Sequence, residues 1–155
     1  MLENHQIELL KTLSNLVGVS GHEEKILQFV SEQLPFCTKE QDKLGSGLFS
    51  LGEGDLSIMF ATHMDEVGFV VSSINERGYV SIQPVGNMWA HTLLQQLVTI
   101  TTSDGRQCTG IIGGPQTHAI SPEARKKVVA MEELFIDLGV ENRESIQEIG
   151  IEVGD

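Results

Sequence analysis

Apolar positions follow one rule at the start of the chain and another after residue 35. Leu2, Leu9, Leu13, Leu16 and Val17 recur at helical spacing and Gly18 follows as a stop, which predicts a first helix ending near Val17. Ser20 with Glu23 three residues later has the form of a capping box, with His22 inside it helping the helix start. Ile26, Phe29, Val30 and Leu34 then share one face of a second helix, closed by Pro35. Beyond Pro35 the pattern shortens. Gly45-Ser46-Gly47 and Gly52–Asp55 read as turns around a strand at Leu48–Leu51. Ser57–Thr62 is a compact apolar run between turns, the pattern of a strand buried on both faces.

Hairpins are expected from Glu66 on. Val67–Ile74 and Tyr79–Val85 flank Asn75-Glu76-Arg77-Gly78, and Leu97–Thr102 and Gln107–Ile112 flank Ser103-Asp104-Gly105-Arg106. The pattern predicts an antiparallel meander or small barrel. Its character differs from the helix–helix–strand start, so a domain boundary is expected near Gly68. Ser121-Pro122-Glu123 opens a short helix through Lys127, Leu134–Leu138 reads as a strand, and Asn142–Ile149 as a helix closed by Gly150.

Charge narrows the partners. Ten Lys plus Arg stand against 22 Asp plus Glu in 155 residues, a net charge of −12. Such a field repels phosphate backbones and anionic lipids, so neither nucleic acid nor a membrane surface is expected as a partner. Divalent metals and amine-bearing peptides are compatible with it. Cys37 and Cys108 are far apart and in no CxxC pattern, which argues against a disulfide framework or a zinc ribbon. Glu3, Glu8 and Lys11 interrupt the apolar pattern of the N-terminus, and no apolar stretch reaches the length of a membrane span. A cytoplasmic location fits this reading.

The candidate chemistry lies in Phe60–Phe69, FATHMDEVGF. Residues two apart on a strand share a face, so a continuing strand would present His63 and Asp65 together. Imidazole is the commonest metal-binding side chain, and a nearby carboxylate accepting its other ring N–H fixes the tautomer. The bland reading is a histidine that only hydrogen-bonds a neighbour. His5 reads as a solvated surface residue, and His91 and His118 as loop residues. Gly110–Pro115 lacks the Lys-Ser/Thr of a P-loop, Arg125-Lys126-Lys127 reads as a solvated helix face, and Trp89 as a partner anchor or a core residue.

The string Ile58–Phe69, IMFATHMDEVGF, resembles the signature of the glutamyl aminopeptidase family, the co-catalytic metallopeptidases that include the tetrahedral, TET-type aminopeptidases. Some members carry endoglucanase or cellulase-like names. The resemblance covers essentially the whole chain in order. LLKTLSNLVGVSGHEEKI is similar to the opening helices, and DKLGS at Asp42–Ser46 to a turn that follows them. PVGN at Pro84–Asn87, GIIGG at Gly110–Gly114 and RKKVVAMEELFIDLG at Arg125–Gly139 are similar to an inserted β-domain. IEVGD at Ile151–Asp155 is similar to the re-entry into the catalytic domain. The chain departs from the pattern at Ser46, where the family often has Asn, and at Asn87-Met88-Trp89-Ala90.

The resemblance implies an α/β (α+β) fold. Residues 1–68 would be the N-terminal part of an α/β zinc-peptidase catalytic domain. Residues 69–150 would be an inserted antiparallel β-barrel lid or dimerisation domain, and 151–155 the start of the return. His63 corresponds to a metal-ligand histidine, and Asp65 to the catalytic-site acid that orients it. The implied cofactor is a divalent metal, zinc with cobalt or manganese as alternatives, held as a pair in the complete enzyme. The implied partners are peptide substrates and further copies of the chain, assembled through the β-domain. The bridging carboxylate, the general base and the other ligands would follow Asp155. The chain therefore reads as the front part of an enzyme, inactive alone. Two other functions compete: a non-catalytic oligomerisation module, and a glycan hydrolase. The second is disfavoured because Asp65 and Glu66 are adjacent, not paired across a glycosidic bond.

Overall fold

The computed structural model describes residues 3–116 and 118–155. Leu2, counted above in the first helix, lies outside the described residues. The chain divides into two compact units, Met1–Glu66 and Val67–Asp155.

The first unit begins with helix α1, Asn4–Asn15, whose N-terminus is closed by the Glu3 amide donating to Gln6 Oε1 at 2.9 Å. The helix ends before the expected Val17, because Leu16 turns extended (φ −75°, ψ 138°). That break frees Gly18 and Val19 for a different partner: the Gly18 carbonyl accepts from the Glu66 amide at 2.7 Å, and Val19 forms a parallel bridge with Glu66. Helix α2, Glu24–Gln33, buries Ile26 and Leu27. Its first residue follows Glu23, not Ser20, so the expected capping box does not form. Glu23 Oε1 instead accepts from the Gly21 amide at 2.9 Å, and His22 is exposed in the turn, its amide donating to the Val19 carbonyl. The strands β1, Thr38–Gln41, and β2, Gly47–Ser50, form an antiparallel hairpin. Asp42 closes its turn by accepting from the amides of Leu44 and Ser46, both at 2.9 Å.

The run Ser57–Thr62, expected as a doubly buried strand, forms no strand. Leu56, Ile58, Met59 and Phe60 are 82, 73, 79 and 95% exposed. A doubly buried strand needs ladder partners on its edges and layers over its faces. Among the described residues of this unit, β1 and β2 already pair with each other.

The second unit is built on a five-stranded antiparallel sheet. β3, Gly68–Ile74, pairs with β4, Val80–Val85, across a bulge at Val71/Ser73. β5, Leu97–Thr101, pairs with β6, Gln107–Gly113. Of the expected meander or small barrel, a simple meander is not the topology. A late strand, β7 at Phe135–Asp137, inserts between the two hairpins, pairing Ile136 with both Val80 and Ile112, in the order β3-β4-β7-β6-β5. Burying apolar area selects this arrangement, because Ile136, Val80 and Ile112 are 3, 0 and 1% exposed and meet at the centre of the sheet.

Helix α3, Arg143–Ile149, is capped by Asn142, whose Oδ1 accepts from the Ser145 amide at 2.9 Å, and closes at Gly150 with φ +92°. It drives Ile146 into the core, and Ile151 follows it there, both fully buried. Residues 151–155 belong to this unit: the Val71 amide donates to the Asp155 carbonyl at 2.8 Å, and the Gly154 amide to the Val71 carbonyl at 2.9 Å. Among the described residues no helix is long and apolar enough to cross a membrane.

Candidate metal corner

The site is assembled by a clamp. Residues 18–20 lie alongside residues 64–66: the Glu66 amide reaches the Gly18 carbonyl, and Glu66 Oε1 accepts from the Gly18 amide at 3.3 Å. Position 18 is tightly packed, with Ile26 Cδ1 its nearest neighbour. A Cβ there would stand 3.2 Å from Ile26 Cγ1 and 3.3 Å from the Met64 carbonyl oxygen. This close approach places Ser20 against Asp65, 45 residues away in sequence.

Asp65 divides its carboxylate between two partners. Oδ2 accepts from the Ser20 hydroxyl at 2.5 Å, while Oδ1 stands 3.3 Å from His63 Nδ1. His63 Nδ1 is nearer still, at 2.9 Å, to the main-chain carbonyl of Asp65. A carbonyl oxygen can only accept, so this geometry makes Nδ1 the protonated ring nitrogen and leaves the Nε2 lone pair available. His63 and Asp65 therefore lie side by side although no strand forms there; a local turn of the backbone does what strand alternation was expected to do. The Ser20 hydroxyl holds the Asp65 carboxyl below the usual carboxylate range, with desolvation opposing it and the nearby imidazole assisting. The His63 side chain is 83% exposed and that of Asp65 43%.

The donor set sets a limit on the chemistry. A catalytic zinc takes about three protein ligands and keeps one position open. His63 supplies a bare Nε2, and Asp65 stands behind it as the carboxylate partner such a ligand commonly has. Among the described residues no group of three or more His, Cys, Asp and Glu is placed to hold a metal. These residues fit one corner of a site, not a complete one.

The other histidines do not join this corner. His5 is exposed, with Nδ1 3.3 Å from Glu3 Oε2. His91 stacks on the exposed Trp89 at 5.6 Å, and its Nδ1 accepts from the Val129 amide at 3.4 Å. His118 is exposed in a loop. Sequence reasoning missed Ser20, which it assigned to a helix cap. No local signal could have found its partner, because the contact spans 45 residues.

Residues 45–155 match the family model described as M42 glutamyl aminopeptidase, and the chain belongs to that family. It is 34% identical over 150 residues to the putative aminopeptidase FrvX of Escherichia coli, covering 96% of this chain and 42% of that protein. The TET aminopeptidase of a marine sediment Thaumarchaeota archaeon superposes with a TM-score of 0.91 at 38% identity, over 99% of this chain and 44% of its own. The Pyrococcus horikoshii TET1 peptidase, which can assemble into a tetrahedron or a large octahedral shell, superposes with a TM-score of 0.83 at 32% identity, over 96% of this chain and 44% of its own. The chain thus spans less than half the length of these relatives.

Proposed function

We propose that this chain carries one corner of the active site of a metal-dependent aminopeptidase, with His63 as a metal ligand through Nε2 and Asp65 as the acid that orients it. The observation that carries the reading is the placement of Asp65 on the Nδ1 side of His63, within a chain of the M42 family. The metal is a divalent ion, zinc in the first instance. When bound with its full ligand set, it would activate water for attack on the peptide carbonyl beside a free N-terminus. His63 holds one position of that set, and Asp65 keeps the ring turned and its Nδ1 protonated. The general base and the remaining ligands come from residues these 155 do not include, so the chain alone does not turn over peptides.

A chimera tests this, with the chain replacing the matching part of FrvX. Metal-dependent release of N-terminal residues from the chimera, lost in His63→Ala, is expected. An active His63→Ala chimera would overturn the assignment. Turnover by the 155-residue chain alone with added zinc or cobalt would overturn the incompleteness.

A second reading makes the chain a non-catalytic module that assembles copies through Val67–Asp155. It is favoured by the self-contained core of that unit and by the assembly of the Pyrococcus horikoshii relative. An inactive chimera that still forms large assemblies in light scattering would select it.

A further inference from the structure

Three side chains meet at the metal corner, and the proposed function uses two of them. The third, Ser20, has no part in the helix it precedes: α2 starts after Glu23, and the Ser20 hydroxyl points away to Asp65 Oδ2 at 2.5 Å. We propose that Ser20 is a positioning residue of this corner, tying up one oxygen of Asp65 so that the other stays on the Nδ1 side of His63. This rests on reading His63 as a metal ligand, but its geometry stands separately.

An aspartate carboxylate turns about two bonds, and in an exposed setting it samples several rotamers. The Asp65 side chain is 43% exposed, so packing alone does not hold it. Its main chain is held: Glu66, next to it, is bridged to Val19 and bonded to the Gly18 carbonyl at 2.7 Å. The same segment that fixes the backbone on one side carries Ser20 on the other. Backbone and carboxylate are thus anchored from a single loop, residues 18–20. The hydroxyl donates to Oδ2, and Oδ1 is left 3.3 Å from the imidazole. Without the hydroxyl, Oδ2 has no partner among the described side chains, and rotation about χ1 carries both oxygens away from His63. The main-chain carbonyl of Asp65 would still face Nδ1, so the imidazole would keep one acceptor and lose the charged one. Partners of this kind, one shell out from a metal, typically change metal affinity by about 10- to 100-fold when removed.

The test compares Ser20→Thr, which keeps the hydroxyl, with Ser20→Val, which has the same shape without it, and with Ser20→Ala. Isotope-labelled chain is used for two readouts. Three-bond couplings report whether Asp65 occupies one χ1 rotamer. Titration with Co²⁺ alone reports the midpoint at which the His63 ring signals broaden. Wild type and Ser20→Thr are expected to show a single Asp65 rotamer; Ser20→Val and Ser20→Ala are expected to show averaging, with a Co²⁺ midpoint raised about tenfold. A purely structural contribution to the loop would perturb Ser20→Thr and Ser20→Val alike. A single rotamer retained in Ser20→Val, or an unmoved Co²⁺ midpoint beside a responsive wild type, overturns the proposal. If Co²⁺ leaves the wild-type His63 ring untouched, the ligand reading of His63 fails, and the rotamer comparison still decides for or against Ser20.

Discussion

The two units treat apolar residues in opposite ways. In Val67–Asp155 they converge: Val71, Val80, Ile82, Ile100, Ile112, Leu134, Ile136, Ile146 and Ile151 form one buried cluster beneath the sheet. Among the described residues of Met1–Glu66 the buried apolar side chains are Ile26 and Leu27, while Leu56, Ile58, Met59 and Phe60 lie open to solvent shortly before His63. The contrast teaches that an apolar run is a demand for neighbours and not a guarantee of burial. β7 answers that demand in the second unit. In the first, the described residues do not, and the candidate corner is held by a loop clamp alone.

Core deletion should separate the units most sharply. Ile146→Ala removes a fully buried side chain and is expected to destabilise the second unit by about 2–5 kcal/mol in urea unfolding. Phe60→Ala, at a 95% exposed position, is expected to stay within about 0.5 kcal/mol. A comparable loss in Phe60→Ala would mean that the run 56–60 is covered after all, and the comparison would collapse.

Next in size is the clamp. Gly18→Ala forces a methyl group against Ile26 and the Met64 carbonyl, and overpacking of this kind costs about 1–3 kcal/mol. The loss should appear as faster hydrogen exchange at the Glu66 amide, with the sheet amides of the second unit unchanged. Unchanged exchange at Glu66 would show that residues 18–20 do not hold the corner.

Smaller effects belong to the second unit's own termini and turns. Asn142→Ala removes the cap of α3 and is expected to cost about 1 kcal/mol, read from the urea midpoint. Asp104 gives the smallest effect. The Thr102 hydroxyl, the Arg106 amide and the Arg106 guanidinium hold its carboxyl below the usual carboxylate range. A depressed folded-state value contributes stability above the unfolded-state value and loses it as pH falls through the folded one. The urea midpoint of the second unit should therefore decline in acid, below about pH 4, and Asp104→Asn should flatten that decline. An identical acid limb in the variant would place the protonation elsewhere.

Much of the second unit was legible in order of residues. Both hairpins, the turn at Gly105 with φ +85° and the helix expected at Asn142–Ile149 with its Gly150 stop follow from short-range chemistry, whereas the helix expected from Ser121 through Lys127 is only a 3₁₀ turn at Ala124–Lys126. The Asn cap accepts from an amide three residues away, and the hairpin turns need only local backbone freedom. The position of β7 was not legible, because nothing within Phe135–Asp137 says which strands it will separate. That choice goes with three apolar side chains far apart in sequence, Val80, Ile112 and Ile136, which are brought side by side and buried in the observed order.

The candidate corner divides the same way. His63 and Asp65 stood out in FATHMDEVGF because their chemistry is local and two residues apart. Their expected setting, a buried strand, did not form, since a strand's burial is decided by partners that its own residues cannot supply. Ser20 was misread as a helix cap for the complementary reason. A serine hydroxyl donates and accepts alike, and only the closure of residues 18–20 onto residues 64–66 decided that it would serve Asp65. The sequence by itself determined the local parts, namely helices, hairpins and the His-x-Asp pair, because each is settled within a few residues. Tertiary structure alone decided the strand order and the Ser20–Asp65 contact, because both depend on groups brought together across tens of residues.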